Sequence, residues 1–126
     1  MTREEILNFE KVSTQLQSFH DETAILVKKD PNGQMNAFKL KLINKVIAKA
    51  NEILGEKKPF EDFSEFDIEA LPNNGDVSMI IGQYINCLED LRKDNAHLHY
   101  GSWYWNIDGD EDNNEIRSYI PERYRK

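Results

Sequence analysis

TAILVKKDPNGQMNAFKLKL, running from Thr23 to Leu42, is the stretch whose reading decides the fold. At its centre, Asp30-Pro31-Asn32-Gly33 is turn chemistry: proline pre-sets φ, and glycine accepts a positive φ that other residues resist. The flanks admit two readings. Phe38, Leu40 and Leu42 alternate with Lys39 and Lys41 as a half-buried strand does, while Phe38, Leu42 and Val46 share a helix face. Ala24 to Val27 is apolar and partly β-branched, which together with the apt turn residues favours a β-hairpin. The expectation is an α+β fold: three main helices packed on a small, mostly antiparallel sheet built from two hairpins. The alternative is a mostly α bundle with one C-terminal β-hairpin.

Upstream, Thr2 followed three residues later by Glu5 is a capping box, and Ile6, Phe9, Val12, Leu16 and Phe19 recur at helical spacing. This predicts a first helix over about 3–20, with His20 meeting the negative end of its dipole. Downstream, Leu42, Ile43, Val46, Ile47, Ala50, Ile53 and Leu54 form an amphipathic stripe that Gly55 can terminate. The following KKPFEDFSEFDIEALPNNG, from Lys57 to Gly75, reads as irregular loop or short helical turns. A third helix capped by Asp76 carries Val77, Ile80, Ile81, Tyr84, Ile85, Leu88 and Leu91 to about Asp94 or Asn95. Last, HLHYGSWYWNI (97–107) and EIRSYIP (115–121) flank the loop formers DGDEDNN and read as the second hairpin.

At 126 residues the chain is the size of one domain, 1–126, with enough apolar residues for a core of its own. Its net charge of -7 argues against direct nucleic-acid binding and against anionic membrane, because both rely on cations meeting phosphate. Cys87 is the single cysteine, so no intramolecular disulfide forms, and MTREEILNFEK lacks the apolar core of a signal peptide. A cytoplasmic protein is expected. Charge is also segregated. Lys28 to Lys58 holds eight Lys against Asp30, Glu52 and Glu56, a balance of +5. Pro59 to Ala96 holds nine acidic residues against Arg92 and Lys93, a balance of -7.

That segregation points to an acidic face drawn from Glu61, Asp62, Glu65, Asp67, Glu69, Glu89, Asp90 and Asp94 that docks on a protein partner with a basic surface. Phe60, Phe63 or Phe66 are candidate anchors for such an interface. The expected function is a non-enzymatic inhibitor or sequestering protein, of the immunity-protein or phage counter-defence kind, that occupies a cationic site and needs no cofactor. A homodimer is also allowed, since a small sheet leaves edges to pair.

Two other readings come from the C-terminal third. Trp103 and Trp105 share one face of a strand, either to cap the core or, with Arg117, to hold a nucleotide or other small ligand. Arg92 and His97 match the Arg-x4-His spacing of HEPN ribonucleases, and the chain resembles that family at these two positions. The resemblance implies an RNA phosphate as substrate, with Arg92 stabilising developing charge and His97 exchanging the proton. His97 and His99 could face one metal, but no third ligand stands beside them. Asp108, Asp110 and Asp112 begin like a calcium loop, yet the twelfth position is Tyr119, so the stretch reads as an acidic turn. Cys87, among apolar neighbours on the third helix, reads as a structural thiol.

Overall fold

The computed structural model describes residues 1–110 and 113–125. Three helices, α1 (Arg3–Lys29), α2 (Ala37–Leu54) and α3 (Asn74–Asp94), pack on a two-stranded antiparallel sheet of β1 (Ala96–His99) and β2 (Ser102–Trp105). The α+β class is therefore observed, with departures from expectation inside it. Thr23 to Leu42 is no β-hairpin: α1 continues to Lys29, and α2 begins at Ala37. His20 accordingly lies inside α1 and not at its end.

The reason is burial. Phe19, Thr23 and Leu26 extend the stripe of Ile6, Phe9, Val12 and Leu16 at helical spacing, so the segment buries more apolar surface as helix than as an isolated ribbon. The turn forms where expected but joins helices, and Gly33 does not take the left-handed φ expected of it. Asp30 N–H donates to Leu26 O (2.8 Å), Gly33 N–H to Asp30 O (3.1 Å), and Asn36 caps α2 by accepting from Lys39 N–H (2.8 Å). Gly33 leaves room for the Asp30 carboxylate, since a Cβ there would lie 2.6 Å from Asp30 Oδ2 and would push that exposed side chain aside. The turn is latched to the start of α3, where Asn74 donates from its backbone to Gly33 O (2.8 Å) and from Nδ2 to Asp30 O (2.9 Å). Asn73, three residues before Asp76, is the cap of α3; its side chain accepts the Asp76 N–H (2.7 Å).

One core unites the elements: Phe9 and Leu16 of α1, Leu40, Ile43 and Ile47 of α2, Ile81, Tyr84 and Leu88 of α3, and Trp105 of β2 are all buried. The C-terminal sheet also differs from expectation in its pairing. The stretch 97–107 is not one strand but folds on itself at Tyr100 (φ 47°) and Gly101 (φ 79°), two successive left-handed residues that make the tight turn between β1 and β2. The segment around Arg117 then runs antiparallel beside β2, with Trp105 N–H to Ile116 O and Ser118 N–H to Trp103 O, both 2.9 Å. Among the described residues no helix is long and apolar enough to cross a membrane.

Candidate functional site

Residues 59–72 pass from the end of α2 to the start of α3 without regular structure, yet they are held firmly. Asn44, buried on α2, donates from Nδ2 to Phe66 O (2.9 Å) and accepts Phe66 N–H at Oδ1 (2.8 Å). Asn51, two turns on along the same flank, donates to Ser64 O (3.1 Å) and accepts the Tyr84 hydroxyl (2.7 Å). Burial raises the Tyr84 phenol above its ordinary pKa, with the bond to Asn51 opposing in part.

Two of the three phenylalanines in this loop face inward. Phe66 is buried, and the half-buried Phe63 packs edge-on against it with ring centroids 5.1 Å apart and approaches Tyr84 at 6.3 Å. Neither is available as an interface anchor; Phe60 is half-buried. Pinned this way, the loop turns Glu61, Asp62, Glu65, Asp67 and Glu69 outward, all exposed and, among the described residues, in no ion pair. Of the other expected acidic residues Asp90 is exposed, Asp94 lies near Lys57 and Lys93, and Glu89 is buried.

Glu89 belongs instead to a charged cluster inside the molecule. Arg92 is 1% exposed; its guanidinium donates to Glu10, to Glu89 Oε2 (3.2 Å) and to Ser118 Oγ (3.0 Å). It stacks 5.2 Å from the ring centroids of both Phe9 and Trp105 and 5.4 Å from Tyr119. Glu89 also accepts from Arg125 (3.2 Å) and from the Glu122 backbone N–H (3.3 Å), which straps residues 118–125 over α3. A cleft of about 470 Å³ lies between this strap and α1, with Asp21, Glu89, Arg92 and Arg125 among its walls. Two carboxylates and two guanidiniums stand in its walls, so their formal charges cancel.

Alternation along β1 and β2 separates the remaining candidates. Ala96, Leu98, Trp103 and Trp105 share the face toward the helices; His97, His99, Ser102 and Tyr104 share the other. Arg92 meets the Trp105 side, whereas His97 stacks with Tyr104 (6.1 Å) and bonds Asn106 (2.6 Å) and Asn114 (2.8 Å) on the opposite side. The two do not converge on one phosphate. The aromatic pair is likewise split from its cation: Trp105 is buried and Trp103 stacks on Tyr124 (5.2 Å), while Arg117 sits opposite Tyr104 and donates to Ser102 (2.9 Å).

No group of three metal-ligating side chains forms among the described residues. Asp108 accepts from the amino group of Met1 (2.6 Å); Asp112 of the acidic turn lies outside the described residues. Cys87 is half-buried, and burial, followed by the nearby Asp90 carboxylate, raises its pKa, which suits a structural thiol.

The residues that the sequence reading missed are the pins, Asn44 and Asn51. Their signal is a polar residue at i and i+7 within the otherwise apolar flank of α2. No family model, curated protein or solved structure matches the chain.

Proposed function

We propose that the chain is a non-catalytic, acidic binding protein of the cytoplasm that inhibits or sequesters a macromolecule by occupying its cationic site. The observation that carries this reading is the loop of Glu61, Asp62, Glu65, Asp67 and Glu69: five exposed carboxylates on a backbone fixed by Asn44 and Asn51. A fixed array of like charge raises the local potential and steers a basic partner, and its rigidity spares the entropy of ordering a flexible acidic tail. Phe63 and Phe66 face inward, so recognition here rests on the carboxylates, with backbone shape setting the register. The single Cys87 suits a reducing compartment.

An oligoarginine peptide, titrated into isotopically labelled protein, tests the reading. Chemical-shift changes are expected to centre on 61–69, to fade as salt rises, and to vanish when the five carboxylates become amides. Shifts spread evenly over every exposed Asp and Glu would refute it. With a natural basic partner, amidation should slow association by about tenfold or more while leaving dissociation nearly unchanged.

A further inference from the structure

The Thr23–Leu42 region holds more apolar residues than one helix-packing face can bury. The excess lines a groove of about 450 Å³ between the C-terminal half of α1 and the N-terminal half of α2. Met35 and Ile43 are buried at its floor, while Ile25, Phe38 and Leu42 stand at its walls 56%, 70% and 38% exposed. Three large apolar side chains converging on one furrow differ from the scattered exposed hydrophobes of an ordinary surface.

The charge beside this groove selects its occupant. Lys39 is part of its wall. At helical spacing, Phe38 and Leu42 are followed along α2 by Lys45 and Lys49, both exposed. Between Ala37 and Asn51, α2 carries four lysines and no acidic residue, on a protein whose net charge is -7. Glu22 is the one acidic residue in the wall, on the α1 side.

We infer that this groove is a docking site for an amphipathic helix with acidic flanks, contributed by another protein. The helix lays leucine-like side chains, three and four residues apart, against Ile25, Phe38 and Leu42, and its carboxylates meet the lysine ridge. This site is separate from the acidic loop. Asn44 and Asn51 hold that loop on one flank of α2, whereas Leu42 and Lys39 face the groove on the other. The protein thus presents two surfaces of opposite preference, one for a basic partner and one for an acidic helix.

The test uses the full chain and a fluorescently labelled model peptide, an amphipathic helix with leucine on one face and glutamate elsewhere. A twin with lysine in place of glutamate is the charge control. Anisotropy should show binding of the glutamate peptide and none of the lysine peptide. Phe38→Gln should weaken binding by about tenfold or more, Lys39→Glu should weaken it in low salt, and Met79→Gln, on exposed α3 surface, should not change it. Because Phe38 is mostly exposed, its variant keeps the wild-type circular dichroism and melting midpoint. Equal binding of both peptides, binding of neither, or insensitivity to Phe38→Gln would overturn the inference. So would a concentration-dependent dimer in sedimentation that Phe38→Gln abolishes, since the occupant would then be a second copy of this chain.

Discussion

Arg92 shows how a polar side chain becomes core. Buried charge is costly unless its hydrogen bonds are satisfied, and here two carboxylates, a serine hydroxyl and three aromatic rings surround one guanidinium. Arg92→Ala leaves Glu10 and Glu89 without that partner, and an unfolding free energy lower by about 3 to 5 kcal/mol is expected in urea titration. Arg92→Lys should recover only part of it, because an ammonium has neither the fork nor the flat face. His97→Ala, on the opposite side of the sheet, should leave any RNA-directed activity of a preparation unchanged. Cys87 and Tyr84 supply a pH dependence. Both hold their protons to higher pH in the folded chain than in the unfolded one. The folded state therefore binds more protons through that window, and stability present below the ordinary thiol and phenol values falls as pH rises past them. Alkylation of Cys87 at neutral pH should correspondingly be slower than that of a free thiol, and denaturant should abolish the difference.

At the scale of elements, the acidic loop depends on Asn44. Asn44→Ala strands the buried N–H and C=O of Phe66, at a cost of about 2 kcal/mol, and limited proteolysis should then cut first within 59–72. The β1–β2 turn makes the opposite case, since Tyr100 occupies a left-handed position that asparagine fills more readily. Tyr100→Asn should stabilise the protein by about 1 kcal/mol in thermal unfolding. These elements also show how far periodicity reaches. The helix stripes, the capping box at Thr2 and the turn at Asp30–Gly33 were legible, because each rests on local spacing or local backbone chemistry. The hairpin assignment of 23–42 was not, since the alternation in Phe38–Leu42 combines a core residue, Leu40, with two groove residues, Phe38 and Leu42, and does not mark a strand with a wet side. The tight turn at Tyr100–Gly101 escaped because its first residue is not one that usually signals a left-handed pair. Of the candidate site, the outward acidic residues were legible as a charge run. The fate of Glu89 and Phe66 was not, since burial is decided by partners distant in sequence, Arg125 and the Glu122 backbone for Glu89 and Asn44 for Phe66.

Across the whole molecule, α2 divides two surfaces: the pinned carboxylates on one flank and the lysine ridge with its groove on the other. The C-terminal strap completes the outline by docking through Glu89. Because Arg125 is partly exposed, Arg125→Ala should cost less than about 1 kcal/mol of global stability. Its local effect should be larger, and the protein carries its own means of seeing it. Trp105 is sealed beneath Arg92, whereas Trp103 leans on Tyr124 of the strap. The two indoles are thus independent optical gauges. Lifting the end of the strap, at Tyr124 and Arg125, moves Trp103 emission to the red while Trp105 continues to emit as a dry chromophore. Only collapse of the core brings the second signal, so a single fluorescence melt distinguishes loosening at the edge from loss of the fold.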